Sequence, residues 1–173
     1  MCSFDLFNAN LTSIAEMIKD SGLQFDFISD EQIQSGLLQE RGYRVLILPL
    51  SLSISNTEKE KISEFLHNGG LLMVVGDAGV VNEYGRVLTT GALDELLGVK
   101  RSSNVLSEKS LPEEDVLDLI SVTPASRSLL GYSAECIKVF ESGIPAVIKN
   151  TVGNGKTLYL NFLFSDYRTF IPK

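Results

Sequence analysis

Two apolar runs, Val45-Leu46-Ile47-Leu48-Pro49-Leu50 and Leu71-Leu72-Met73-Val74-Val75, bracket one well-marked helical stretch, Asn56 to Asn68. Short, nearly all-apolar runs rich in branched residues are how parallel strands buried on both faces read. Parallel neighbours need a crossover, and the stretch between the runs supplies it. Ser55 and Glu58 stand at capping-box spacing ahead of it. Ile62, Phe65 and Leu66 form its apolar stripe, and Asn68-Gly69-Gly70 ends it. The second run leads into Gly76-Asp77-Ala78-Gly79, the place where an α/β protein of this kind would set its chemistry. That turn carries no Cys, Ser or His, which argues against catalysis by this domain.

The other helical face is Leu11, Ile14, Ala15 and Ile18, with Asn10 as N-cap and Gly22 as the stop. Leu23 to Ile28 reads as a short strand in which Phe25 and Phe27 alternate with polar neighbours. Asp30 to Glu40 is weakly helical, and Ala92 to Leu97 is a short helix with Leu93, Leu96 and Leu97 inward. Ahead of the first helix, Cys2-Ser3-Phe4-Asp5-Leu6-Phe7 is a poor strand where a doubly wound sheet usually opens with one. Either it fills that place imperfectly or the strand is lost or supplied differently, which suggests a domain attached to something larger.

Lys100 to Glu114 is polar and Ser-rich and reads as a loop, with Ser102, Ser103, Ser107 and Ser110 in it. Beyond it lie the strand candidates Val116–Val122, Cys136–Phe140, Ile144–Asn150 and Thr157–Phe162. Asn154-Gly155 is the strongest hairpin signal in the chain. An α/β first part and an antiparallel last part combine in one mixed sheet.

At 173 residues the chain fits one domain that buries roughly 70% of its unfolded surface. A formal net charge of −7, with 15 basic residues scattered rather than clustered, argues against nucleic acid as partner. Cys2 and Cys136 make neither a disulfide framework nor a metal spacing. No apolar run reaches the ~20 residues that span a bilayer, and no signal peptide is legible. The expectation is therefore no membrane partner and no cofactor, with the cytoplasm favoured.

These residues resemble the trimerisation domain of bacterial β-galactosidases of the family-42 type. The resemblance runs through Leu48-Pro49-Leu50-Ser51, the Glu58-Lys59-Glu60-Lys61 helix and Gly69-Gly70 opening the apolar run to Gly76. It continues through Glu83-Tyr84-Gly85-Arg86 and Leu96-Leu97-Gly98-Val99. It closes on Ile144-Pro145-Ala146-Val147, Gly153-Asn154-Gly155-Lys156 and Leu158-Tyr159-Leu160. The resemblance implies a class I glutamine amidotransferase-like fold: a three-layer, flavodoxin-like α/β arrangement whose mixed sheet is parallel at its centre and ends in an antiparallel C-terminal hairpin. Catalytic members of that superfamily carry a Cys on the turn after the second strand, activated by a later His. Here Gly76-Asp77-Ala78-Gly79 keeps the glycines without the nucleophile, and the only His, His67, ends the preceding helix.

Each site candidate has a plain structural reading beside its functional one. Asp77 could contact a ligand or partner at the sheet's carboxyl edge, or it could cap a turn. Asp166, with Tyr167, could line the same edge, and Glu83 and Tyr84 complete a possible ligand or interface pocket. His67 suits the last turn of a helix, and Cys136 a small core position. Glu113, Glu114 and Asp115 read as a solvated run rather than a glycosidase carboxylate pair. Gly153-Asn154-Gly155-Lys156 lacks the strand–loop–helix setting of a phosphate loop.

The chain thus reads as a single domain, 1–173, without catalytic or metal-ligating residues of its own. Its expected role is oligomerisation or interaction within a β-galactosidase-like glycoside hydrolase. The partners would be further copies of the chain or other domains of a parent chain, with carbohydrate possible. The alternatives are a stand-alone small-molecule or sugar-binding module and an enzyme that works without Cys, marked by Asp77, Glu83, Tyr84 and Asp166 around one pocket.

Overall fold

In the computed structural model, residues 4–101, 115–117, 120–124, 129–164 and 167 are described. The helices are α1 (Phe4–Asp20), α2 (Asp30–Gln34), α3 (Leu37–Glu40), α4 (Asn56–His67) and α5 (Asp94–Leu97). The strands are β1 (Val45–Pro49), β2 (Leu71–Val75), β3 (Val99–Arg101), β4 (Asp115–Leu117), β5 (Ile120–Pro124), β6 (Leu129–Tyr132), β7 (Glu135–Val139), β8 (Pro145–Val152), β9 (Gly155–Leu160) and β10 (Phe162–Leu163). Five strands form the main sheet in the order β1-β2-β9-β8-β7. β1, β2 and β9 are parallel, while β8 and β7 run antiparallel to their neighbours. This is a mixed sheet with an antiparallel hairpin, as expected, but among the described residues its parallel strands lie to one side, with β1 at the edge, rather than at the centre. Small ladders β10-β5-β4 and β3-β6 flank it.

The alternation of side chains along the strands divides the core into two clusters. Leu46, Leu48, Leu72, Val74, Ile148 and Tyr159 face Ile33, Leu38, Ile62, Phe65, Leu66 and Leu97. Val75, Val147 and Leu160 face Ile14, Phe140 and Phe162, with Ile18, Ile47, Met73 and Leu158 packed alongside. Helical side chains therefore cover both faces of the parallel part, and strands enclosed in this way must be apolar throughout. Each fully buried side chain on α4, such as Ile62 or Leu66, contributes about 1.5–3 kcal/mol by leaving water.

The helix between the two parallel strands forms as its sequence requires. Ser55 Oγ accepts from the Glu58 N–H at 3.2 Å, and Glu58 Oε2 accepts from the Ser55 N–H at 2.9 Å. At its other end the hairpin turn comes close. A Cβ on Gly155 would sit 2.3 Å from the Leu66 carbonyl oxygen and 2.5 Å from that of Gly70. Only glycine lets β9 enter the sheet against the end of α4.

Four local expectations need correction. Asn10 does not cap a helix. The helix already runs from Phe4, so Phe4–Phe7 are helical rather than a poor strand. Asn10 is buried inside it, where its Oδ1 accepts from the Phe164 N–H at 2.9 Å. Leu23–Ile28 forms no strand, because no neighbouring strand offers it backbone partners. Asp30–Glu40 is helical as expected, in two short helices, since Gly36 takes a positive φ of 90° between them. Val116–Val122 is the antiparallel pair β4 and β5 rather than one strand.

The hairpin turn is displaced by one residue from the Asn154-Gly155 signal. Val152 pairs with Gly155, so Gly153 and Asn154 make the turn. The predicted loop from Lys100 begins later, because Lys100 and Arg101 pair with β6; Ser102, Ser103, Ser107, Ser110, Glu113 and Glu114 lie outside the described residues. No helix among the described residues is long and apolar enough to cross a membrane.

Candidate functional site

Where β2 ends, Gly76 takes a positive φ of 73°, and its N–H donates to the Leu160 carbonyl at 2.9 Å. This turn brings Asp77 back under the sheet edge, where it is 6% exposed. The Gly79 N–H donates to the Ser51 carbonyl at 3.0 Å, and the Ala92 N–H to the Gly79 carbonyl at 2.7 Å. The turn is thereby pinned between the chain leaving β1 and the chain entering α5.

Opposite Asp77 stands a residue that the sequence reading assigned to a polar loop. Arg101, at the end of β3, is 3% exposed. Its Nε donates to Asp94 Oδ1 at 2.7 Å, and its Nη2 donates to the Ala78 carbonyl at 2.7 Å. Asp94 also accepts at Oδ2 from the Gly91 N–H at 3.0 Å. Asp77 Oδ1 lies 3.6 Å from Arg101 Nη1. That separation allows charge attraction but no hydrogen bond, and both atoms are buried without a hydrogen-bond partner. The guanidinium carbon lies 5.7 Å from the centre of the Tyr159 ring. The Tyr159 hydroxyl donates to Asn161 Oδ1 at 3.3 Å.

One guanidinium thus sits between two carboxylates and is shared unequally. Asp94 holds it through a short charge-assisted hydrogen bond, and Asp77 has only the longer contact. Burial pushes the Asp77 carboxyl up to about 6, and the nearby Arg101 charge only partly opposes this. The Tyr159 hydroxyl is pushed above its ordinary range, chiefly by burial and then by the Asp77 charge. The cluster joins the turn after β2, the start of α5, the end of β3 and the C-terminal end of β9. Its chemistry is that of a buried electrostatic clamp with one carboxyl that titrates in mildly acidic solution.

The other candidates stand elsewhere. Glu83 and Tyr84 are on an exposed turn that Asn82 organises: its Oδ1 accepts from the Tyr84 N–H at 3.1 Å and the Arg86 N–H at 2.9 Å. Tyr84 is 86% exposed, so Asp77 faces inward while the Glu83-Tyr84 tip faces solvent. Asp166 lies outside the described residues, whereas Tyr167 beside it donates its N–H to Ser13 Oγ at 3.2 Å. His67 ends α4, with Nδ1 2.8 Å from the Ser63 carbonyl oxygen. The Cys136 thiol, on β7, donates to the Lys138 carbonyl at 3.2 Å. No group of His, Cys, Asp or Glu among the described residues is arranged to hold a metal ion. Arg101 carried no sequence signal beyond being one of two consecutive basic residues after Val99; only the pairing of β3 with β6 turns it inward.

A β-galactosidase from Geobacillus sp. (strain Y412MC61) is 29% identical to this chain over 131 residues. That match takes in 68% of this chain and 19% of the Geobacillus protein. Among solved structures, the β-galactosidase from Bacillus circulans sp. alkalophilus superposes over 93% of this chain and 25% of its own, with a TM-score of 0.71 and 22% identity. Gan42B, a GH42 β-galactosidase from G. stearothermophilus, superposes over 98% of this chain and 26% of its own, with a TM-score of 0.73 and 19% identity. The chain therefore spans about a fifth of the curated relatives it matches and about a quarter of these two solved chains. Residues 16–169 match the family model of the β-galactosidase trimerisation domain, and the chain belongs to that family.

Proposed function

We propose that this domain assembles the subunits of a β-galactosidase-like glycoside hydrolase without itself carrying out chemistry. The observation that carries the reading is the state of the turn after β2. Its one reactive side chain, Asp77, is engaged with Arg101 beneath the surface, and the turn works as a structural anchor. On this reading the carbohydrate belongs to the parent enzyme, whose acid and nucleophile carboxylates lie on another domain. Residues 1–173 act as one unit with a three-layer, flavodoxin-like arrangement; helical side chains on both faces of the parallel strands support this. The Glu83-Tyr84 tip, exposed and aromatic, is the part of the predicted site we assign to the subunit interface. The cytoplasm is the compartment we assign, in keeping with the free thiol of Cys136.

The test is the solution mass of the chain by light scattering across a concentration series. A species of three chains that dissociates on dilution supports the reading, as closed symmetric assemblies do. A monomer at every concentration, with a melting temperature that rises on adding galactosides, would replace it with the ligand-binding module.

A further inference from the structure

Residues 78–92 form a loop whose two ends are held by one side chain. Arg101 Nη2 donates to the Ala78 carbonyl where the loop begins, and Arg101 Nε donates to Asp94 Oδ1 just beyond its end, each at 2.7 Å. Asp94 reaches back with Oδ2 to accept from the Gly91 N–H at 3.0 Å, and the Ala92 N–H closes on the Gly79 carbonyl at 2.7 Å. The neck is packed without slack. A Cβ on Gly91 would overlap Asp94 Oδ1 and Arg101 Nη2, and one on Gly79 would come within 3.2 Å of the Ala92 Cβ. Compact loops with adjoining ends are frequently functional.

From the neck outward the loop is a short hydrogen-bonded arm. The Leu88 N–H donates to the Val80 carbonyl at 2.9 Å, and the Asn82 N–H to the Arg86 carbonyl at 3.0 Å. Val81 bridges to Val87 across the arm and to Ser53 beside it. The tip presents Tyr84, Arg86 and Val87 to solvent, with Tyr84 86% and Val87 44% exposed. Aromatic and arginine side chains are the ones enriched where proteins meet. At the other end the guanidinium is contested. Asp77 Oδ1 lies 3.6 Å from Arg101 Nη1, and neither atom has a hydrogen-bond partner. The groups that face Asp77 among the described residues are Arg101 from β3, Asp94 from the start of α5 and Tyr159 from β9. With Asp77 neutral, one buried cation meets one anion. With Asp77 ionised it meets two, and the second draws on the guanidinium that closes the neck.

We propose that Arg101 is a latch that presents residues 78–92 as one rigid arm to a second copy of this chain, and that a negative charge on Asp77 loosens it. This rests on the assembly reading given above and adds to it a regulating group. An arm ordered at its neck loses less freedom when its tip meets a partner, so the firm latch favours assembly. The ladder from Val80 to Leu88 carries that order from the neck to Tyr84 without a break. A neutral Asp77 therefore favours assembly and an ionised one opposes it. By reciprocity, assembly favours the neutral carboxyl. Burial already pushes that carboxyl up to about 6, so modest acidification is enough to neutralise it.

The test is sedimentation of the full chain over a concentration series at about pH 5.5 and about pH 7.5, on either side of the Asp77 titration. Asp77→Asn and the double replacement Arg101→Met with Asp94→Leu are run beside it, with melts of the same samples to follow folding. Assembly of the unaltered chain should weaken roughly fivefold or more at the higher pH. Asp77→Asn should assemble tightly at both, which separates this effect from the general loss of negative charge in acid. The double replacement should assemble roughly fivefold more weakly than the unaltered chain at the lower pH, with faster amide exchange at Leu88 and Ala92. If it does not fold, Arg101→Lys, which keeps the charge and loses the fork, is read in its place. An equal pH response in the unaltered chain and Asp77→Asn overturns the proposal, and so does a latch variant that assembles as tightly as the unaltered chain. Either outcome leaves the assembly reading standing. A monomer at every concentration and both pH values overturns the assembly reading and the latch with it.

Discussion

Arg101 Nε lies 2.7 Å from Asp94 Oδ1, and the pair closes α5 onto β3 beneath the turn that carries Asp77. Both side chains are buried, so the pair is worth most when one member is removed. Arg101→Met strands the Asp94 carboxylate and should cost about 3–5 kcal/mol of stability. The double replacement Arg101→Met with Asp94→Leu should recover a large part of that loss. Urea unfolding of the two singles and the double gives the coupling energy directly. Single losses that simply add in the double variant would show that the clamp does not act as a unit.

Asp77 makes stability depend on pH in an unusual direction. Its carboxyl is pushed up to about 6 in the fold, against an ordinary value of 3.8 for an exposed aspartate. The folded protein therefore holds this proton more tightly than the unfolded chain does. The stabilisation linked to it is fully present below the unfolded pKa, and it fades as pH rises through about 6. Asp77→Asn keeps the shape and removes the charge. The variant should be at least as stable as the parent at pH 7 and should lose this contribution to the slope between about pH 4 and 6. Thermal melts of both proteins across that range check it, and identical slopes would rule out Asp77 as the group responsible.

Gly155 tests the junction between the hairpin and α4. Gly155→Ala places a methyl group against the backbone carbonyls of Leu66 and Gly70, neither of which can swing aside as a side chain would. A loss of about 1–3 kcal/mol is expected, in the range of overpacking. Gly143→Ala is a useful contrast: its added Cβ meets nothing within 4 Å, and its positive φ of 82° leaves backbone strain as the only cost. A loss at Gly155 no larger than that at Gly143 would contradict the close-approach explanation.

Ser55→Ala removes one half of the capping box at the start of α4. The expected cost is about 1 kcal/mol, measurable as a shift in the urea midpoint with an unchanged slope. Glu58 is itself buried, so Glu58→Ala should cost no less.

For the interface assigned to the exposed tip, Glu83→Ala and Tyr84→Ala should leave folding stability within about 0.5 kcal/mol, as surface changes do. They should shift the dissociation of the proposed trimer to higher protein concentration. Sedimentation and melting measured on the same samples separate the two effects.

The parts that were legible in advance share one property: their determinants lie within a few residues of each other. The capping box of Ser55 and Glu58, the stripe of Ile62, Phe65 and Leu66, and the two apolar runs beside that helix all follow local periodicity, and the structure forms them at those positions. The mixed direction of the sheet was legible too, because a helix between two strands and a two-residue hairpin each admit one sense. The hairpin turn still fell one residue earlier than its Asn-Gly signal, since the pairing of Val152 with Gly155 fixes the register.

What the sequence alone determined, then, is which stretches bury apolar surface and with what period. Short-range sterics and hydrogen bonding decide that. Tertiary structure decided which polar residues went inside. Asn10 reads as a helix cap until the Phe164 N–H arrives from the far end of the chain. Leu23–Ile28 reads as a strand until the sheet leaves it without a bonded neighbour. Arg101 reads as the edge of a polar loop until the pairing of β3 with β6 presses it between Asp94 and Asp77. For Asn10 and Arg101 a buried polar group is tolerable only if a partner distant in sequence meets it, and such a meeting, like the pairing that Leu23–Ile28 lacks, is written in the packing of the whole domain rather than in any local pattern.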